Sequence, residues 1–258
     1  MSLELQGPAV ASTPVRSEDM IGVLAGARRL ASTIDTSWSP VSAEDAYAVQ
    51  RGIRAQLGEG IGGWKAAGLD PDDIPLIAPV HLSDVSTSGA LPCPEEGWIL
   101  EVEYGYRLGR DLPGGAALPA NEIMDAVAEV HVCFELCRSR LAKPSSPRLL
   151  FLADGLANDG VVVGSGLSPQ NLSLGDRDVC LRIDGNVAKQ VRTPDDAAAT
   201  KIFLWLARRS LFDGGLKAGH VVITGSLTGT DRIRRGQTAE ASIQGIGEVR
   251  LHALPSDG

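Results

Sequence analysis

No apolar run in this chain approaches the ~20 residues that a membrane-crossing helix needs, so the sequence reads as one that stays out of the bilayer. Cysteine is scarce. The four cysteines, at positions 93, 133, 137 and 180, form no Cys-x-x-Cys pair and are too sparse for a disulfide scaffold. With nothing at the N-terminus resembling a secretory signal, they imply a reducing, cytoplasmic setting, where the Asn171-Leu-Ser173 sequon carries no meaning. Positive charge is also short: 24 Lys and Arg against 32 Asp and Glu leave a net charge of −8 and no general attraction for nucleic-acid phosphates. Arg232, Arg234 and Arg235 then read as a solvated surface. The histidines, His81, His131, His220 and His252, share no His-x-x-x-His spacing and read first as structural. Gly164-Ser-Gly166 lacks the third glycine of a dinucleotide fingerprint, and Ser226, in Thr224-Gly-Ser-Leu-Thr-Gly229, lacks the spacing of a serine-hydrolase elbow.

What is present is a chain of 258 residues, 43% hydrophobic, long enough for one large domain or a core with a smaller appended part. Residues 1–16 have no periodicity and read as a loose tail. Residues 17–60 carry two helical patterns, one with Ile21, Leu24, Ala25 and Leu30 in phase, the other opening at Ser42 with Ala46, Val49, Gln50, Ile53 and Leu57. These predict an N-terminal helical subdomain. From 61 to 258 the texture changes to short apolar runs cut by Gly, Pro, Asp and Ser, at 61–67, 76–82, 98–108, 127–137, 149–153, 160–164, 179–184, 220–225, 238–243 and 247–254. One late helix is predicted from Thr193-Pro-Asp-Asp196 to Gly214, with Ala198, Ile202, Trp205, Leu206 and Leu211 as its apolar stripe. Strands grouped with few helices predict an α+β fold rather than a regular βαβ alternation.

Three carboxylates stand out. Glu101 and Glu103 share one side of a strand, and Glu135 sits in the apolar run Val130-His-Val-Cys-Phe-Glu-Leu136. Alone, Glu101-Val-Glu103 reads as the solvent side of an exposed strand. Gathered together, three carboxylates on apolar strands repel and resist burial, and a hard divalent cation compensates them. Lys65, in Ile61-Gly-Gly-Trp-Lys-Ala-Ala-Gly68, supports two readings with equal weight: a snorkelling surface lysine, or an anion-binding or proton-transferring group.

Further segments extend this pattern: Gly63-Trp-Lys65, Leu100-Glu-Val-Glu-Tyr-Gly-Tyr-Arg-Leu-Gly-Arg-Asp-Leu-Pro113, Phe134-Glu-Leu-Cys-Arg-Ser-Arg140, Leu152-Ala-Asp154, and Leu216-Lys-Ala-Gly-His-Val-Val-Ile-Thr-Gly-Ser-Leu-Thr228, with Ala46-Tyr-Ala-Val-Gln50 ahead of them. In this order they resemble the 2-keto-4-pentenoate hydratase and 2-oxo-3-hexenedioate decarboxylase family, within the fumarylacetoacetate hydrolase superfamily. The resemblance spans residues 20–254.

That resemblance implies a mixed β-roll core with an N-terminal helical region, and a Mg²⁺ or Mn²⁺ ion held by Glu101, Glu103 and Glu135. It also implies a small 2-keto or 2-hydroxydienoic acid substrate and a homo-oligomer. Lys65 matches the family's active-site lysine. Asp84 falls where members carry an Asp-Asp pair, of which Ser83 replaces the first, and His81 stands where an aliphatic residue is usual. Ser226 lies in the substrate-contacting turn. Ala153-Asp-Gly-Leu-Ala-Asn-Asp-Gly160 departs from the usual polar sequence, leaving Asn158 as a partial substitute, and Arg138 replaces a common Asp. The expected activity is a metal-dependent hydratase, with Lys65, Asp84 and His81 as catalytic candidates. Behind it stand an oxalocrotonate-type decarboxylase, an acylpyruvate C–C hydrolase, and a non-catalytic accessory subunit that binds metal and keto acid.

Overall fold

The structure, a computed structural model, describes residues 16–255 apart from 70–74, 88, 115–117, 144–145, 173–174, 194–196 and 210–213. The tail expected over residues 1–16 therefore lies outside the described residues as far as residue 15.

Two helices open the described chain, α1 (Ser17–Arg29) and α2 (Ala43–Leu57). The Ser42 hydroxyl accepts from the Asp45 N–H and caps α2, while Gly58, at φ 72°, closes it in the left-handed conformation that glycine tolerates best. α1 buries Met20, Leu24, Ala25 and Ala27, whereas Leu30, expected in the stripe, is 76% exposed because the helix ends one residue earlier.

The roll follows: β1 (Ile61–Leu69), β2 (Pro75–His81), β3 (Val85–Thr87), β4 (Gly89–Cys93), β5 (Trp98–Leu108), α3 (Ala120–Met124), β6 (Val127–Cys137), α4 (Arg148–Ala153), β7 (Asn158–Leu167), β8 (Arg177–Ile183), β9 (Asn186–Thr193), α5 (Ala197–Ala207), β10 (Val221–Ile223), β11 (Asp231–Ile233), β12 (Thr238–Ile243) and β13 (Gly247–Pro255). A large mixed sheet runs β2-β1-β10-β5-β6-β7-β3, with β11 also on β5; a smaller one runs β4-β13-β12-β8-β9. Val102, Tyr104, Phe134 and Leu136 of the large sheet meet Val179, Ala241, Val249 and Leu251 of the small one in the main core. The α+β roll with its helical N-terminal region is the architecture expected.

Local expectations needed correcting in two places. Leu149-Leu-Phe-Leu-Ala153 is helical, in α4, not a strand, since so short an apolar run satisfies either periodicity. The buried stripe of α5 is Ala199, Phe203, Leu206 and Ala207 rather than one through Ala198, which is exposed; Phe203 stacks on Tyr106 with centroids 4.6 Å apart. α5 ends at Ala207, with non-helical backbone at 208–209, short of the expected end at Gly214; of its predicted start, residues 194–196 lie outside the described residues, as does Leu211.

The helices share their core with the roll. Met20, Leu24, Tyr47, Val49 and Ile53 pack with Ala78 of β2 and with Leu141, Leu150, Leu152 and Leu156. Gln50, nearly buried, donates to Ile77 O and Leu152 O at 3.2 and 2.6 Å, tying α2 to β2 and α4. Among the described residues no helix is long and apolar enough to cross a membrane.

A candidate carboxylate metal centre

β5 and β6 pair antiparallel in the large sheet, and their register sets Glu101 directly opposite Glu135 and Glu103 opposite Cys133. Alternate residues of a strand share a face, so the glutamates leave the sheet on the side away from the main core, into which Val102, Tyr104, Phe134 and Leu136 point. Lys65 joins the same face from β1, since it pairs with Ile223 of β10, which pairs with Gly105 of β5. Glycine is required at 105: a Cβ there would stand 2.4 Å from Cys133 Sγ.

The Lys65 ammonium lies 2.8 Å from Glu135 Oε1 and 3.3 Å from the carbonyl of Leu156. Asn158 donates through Nδ2 to the same Glu135 oxygen at 2.8 Å, and the Gly225 N–H donates to Glu103 Oε2 at 2.7 Å. Glu103 and Glu135 are both 0% exposed, yet Glu103 Oε1 and Glu135 Oε2 have no hydrogen-bond partner. Burial, then the neighbouring Glu135 charge, holds the Glu103 carboxyl well above its usual range against the opposing pull of Lys65 and Gly225. Burial likewise raises Glu101, opposed by Lys65. For Lys65 burial favours loss of the proton, but Glu135 and Glu103 outweigh it and keep the ammonium charged.

Three carboxylates against one ammonium leave negative charge uncompensated, and two buried oxygens lack a donor. A hard dication answers both deficits, so these residues fit one. The tightest donor set among the described residues is not the expected trio, however: the ligand atoms of Glu101, Glu135 and Cys137 lie within 4.8 Å of one another.

The other expected residues form a polar network beside this face. Arg28 of α1 reaches Asp84 Oδ2 at 2.6 Å and the Asn158 carbonyl at 2.9 Å, so the Asn158 side chain on Glu135 and the Asp84 carboxylate share one anchor. His81 Nδ1 stands 3.6 Å from Asp84 Oδ2. Burial raises the Asp84 carboxyl and Arg28 opposes it. Ser226 donates to Gly229 O within its own turn; its neighbour Gly225 is the residue whose N–H meets the trio.

Arg28, Gly225 and Arg140 were not singled out from the sequence, because their roles depend on contacts across the fold. Arg140 is 2% exposed and holds the approach to Asn158: Nε donates to Asp154 Oδ1 at 2.6 Å, and NH1 donates to the Asn158 carbonyl at 3.0 Å. Its NH2 meets the Asp154 carbonyl. Between these anchors Gly155, Leu156 and Ala157 have φ of 68°, 56° and 59°. Left-handed geometry at two non-glycine residues costs about 1–2 kcal/mol each, and the Arg140 contacts maintain it.

His81 carries a testable consequence. Burial, then the charges of Arg28, Arg140 and Arg54, press its pKa down to about 3, so the folded ring is neutral across the physiological range. The unfolded ring binds its proton near pH 6.5, so between these values unfolding takes up a proton and stability must fall with acidification. The slope approaches about 1.4 kcal/mol per pH unit. Denaturant titrations of the wild type and His81→Gln from pH 7.5 to 4.5 should differ by this slope, the wild type losing stability relative to the variant as the pH falls.

Known proteins resemble the chain in sequence and in fold. Residues 78–252 match the family described as fumarylacetoacetate (FAA) hydrolase C-terminal. The 2-keto-4-pentenoate hydratase of Paraburkholderia xenovorans (strain LB400) is 30% identical over 233 residues, covering 81% of this chain and 83% of the relative. The 2-oxo-hept-4-ene-1,7-dioate hydratase of Escherichia coli is 25% identical over 251 residues, covering 84% and 88%. In fold, the 4-oxalocrotonate decarboxylase from Pseudomonas putida G7, solved with magnesium and adipate, superposes with a TM-score of 0.75 at 17% identity, over 92% of this chain and 97% of that one.

Proposed function

The chain belongs to the fumarylacetoacetate hydrolase C-terminal family, and from that membership we propose that it is a hydro-lyase adding water to a 2-hydroxy-2,4-dienoate of the 2-keto-4-pentenoate type. The observation that carries this reading is the buried face on which Glu101 opposes Glu135, with Glu103 beside them and oxygens of Glu103 and Glu135 unpartnered. Glu101, Glu103 and Glu135 would hold a magnesium- or manganese-class dication. Once bound, that ion supplies electrophilic stabilisation of negative charge growing on the C2 oxygen of a 2-keto carboxylate.

The remaining work falls to side chains. Of the three N–H groups of Lys65, one faces Glu135 and one Leu156 O, leaving the third for a substrate carboxylate. Held charged, Lys65 acts as a fixed cation rather than a base. Ketonisation needs a proton moved from the 2-hydroxyl to C5; hydration then needs hydroxyl at C4 and a proton at C3. Asp84 is the carboxylate assigned to these transfers, because burial and Arg28 pull its proton affinity in opposite directions. His81, held neutral with Nδ1 3.6 Å from Asp84 Oδ2, adds no second cation beside Arg28 at that carboxylate. Asn158 Oδ1, buried without a partner, and Ser226 are the proposed contacts for substrate or the added water.

Lys65→Met should lower kcat/KM for an anionic dienoate by about 10²–10³-fold, with much of the loss in KM, as steady-state kinetics would read; a charged donor to a carboxylate is worth several kcal/mol in a dry site. The reaction itself is tested by dialysing the protein, restoring Mg²⁺ or Mn²⁺, and following 2-hydroxydienoates and oxalocrotonate-like diacids by loss of dienol absorbance. Gain of one water in the product supports a hydratase; release of CO₂ transfers the assignment to a decarboxylase. Metal binding without turnover of any substrate leaves an accessory binding subunit. A cytoplasmic homo-oligomer is proposed alongside, and a monomeric mass in solution scattering would reject the assembly.

A further inference from the structure

Beside the trio stands a group that a hard ion does not need. Cys137 follows Glu135 by two residues on β6, so its side chain leaves the same face, and its Sγ lies 3.9 Å from Glu101 Oε2. The ligand atoms of Cys137, Glu101 and Glu135 lie within 4.8 Å of one another, and among the described residues this is the one cluster of His, Cys, Asp and Glu gathered so closely. Glu135 is 0% exposed with Oε2 unpartnered, a buried acceptor that no protein donor serves. Glu103, which the hard-ion reading requires, instead places Oε2 on the Gly225 N–H.

The spacing suits a mixed sulfur–oxygen site. In a tetrahedral zinc centre, with sulfur at about 2.3 Å and oxygen at about 2.1 Å, the two donors stand about 3.6 Å apart. Cys137 Sγ and Glu101 Oε2 already lie within a few tenths of an ångström of that separation. Sulfur adds little for magnesium but much for softer dications.

We propose that Cys137, with Glu101 and Glu135, forms a thiolate-containing site for dications of the zinc and cadmium class, overlapping the carboxylate site and sharing two of its ligands. It rests on the reading that Glu101 and Glu135 hold a cation. On binding, the S–H bond breaks, its proton passes to the solvent and an S–metal bond forms, with no change of oxidation state. Because both modes use Glu101 and Glu135, they exclude each other, so a thiophilic ion displaces the hard ion.

The test uses the full-length, metal-free protein titrated with Cd²⁺ and with Mn²⁺. Cd²⁺ should raise an ultraviolet thiolate-to-cadmium charge-transfer band and release bound Mn²⁺, read by its paramagnetic resonance. Cys137→Ser should abolish the band and weaken Cd²⁺ by at least about tenfold while Mn²⁺ affinity changes by less than about threefold, a selective loss that misfolding would not produce. Cys180→Ser, which alters a half-buried thiol on the smaller sheet, should keep the band. Mn²⁺ binding without a Cd²⁺ band, a band that survives Cys137→Ser, or Cd²⁺ binding that leaves Mn²⁺ in place overturns the thiolate site and spares the carboxylate reading. Failure of both ions to bind overturns both.

Discussion

Glu103→Gln is expected to melt higher than the wild type when both are metal-free, and to be nearly inactive once metal is restored. Glu103 has no exposed surface, one oxygen without a donor, and Glu135 as a neighbour that raises its carboxyl. A raised folded pKa means the carboxyl favours the folded state only while protonated; that contribution is present below its unfolded value near 4.5 and is lost as pH rises through the folded value. The amide keeps the shape and cannot ionise, so its advantage grows with pH. A gain of about 1–2 kcal/mol corresponds to roughly 3–8 °C for a chain of this size. Loss of a charged ligand should cost about 10³-fold or more in turnover.

Glu135→Gln should move stability the other way. Glu135 is the partner of Lys65, whose side chain is 11% exposed, so the amide strands a buried ammonium. Breaking a buried pair from one side costs about 3–5 kcal/mol. Scanning calorimetry of chelator-treated proteins separates these outcomes: a rise for Glu103→Gln and a fall for Glu135→Gln. Two falls would show that Glu103 is a structural residue with adequate partners, and the case for a compensating cation would fail with it.

The second large effect is at Arg140. Arg140→Met removes the guanidinium from Asp154, itself 3% exposed, and frees the left-handed segment that precedes Asn158. The stranded carboxylate should cost about 3–5 kcal/mol, or roughly 10 °C in melting temperature. Adding Asp154→Asn should recover part of the stability, since no charge is then left alone. Activity should stay low in both, because Arg140 NH1 still fails to hold the carbonyl of Asn158, whose side chain meets Glu135. Recovery of turnover together with stability would mean that Arg140 has no part in positioning the site.

These residues show unevenly in the sequence. The strands bearing the carboxylates are legible: apolar runs at 98–108 and 127–137 coincide with β5 and β6, and Ser42 and Gly58 bracket α2 as their chemistry predicts. β9 escapes notice because its pattern is largely exposed and carries no apolar alternation, and β3 and β11 because three residues give no period to read. α4 reads as a strand because six residues, mostly apolar, are too few to tell one periodicity from the other. Lys65 is ambiguous for a similar reason: its small neighbours are compatible with surface or core, and its partner Glu135 lies seventy positions along the chain.

By itself the sequence determined the alternation that puts Glu101 and Glu103 on one side of a strand, the helical N-terminal region, and the likeness to a family of keto-acid enzymes, all of them local pattern or ordered motif. Tertiary structure alone decided that Glu101 faces Glu135, that Lys65 compensates one carboxylate, that Arg28 joins Asp84 to Asn158, and that Cys137 completes the tightest donor set. The reason is physical: strand register and burial arise from packing between distant segments, and they determine which charges meet and which remain uncompensated.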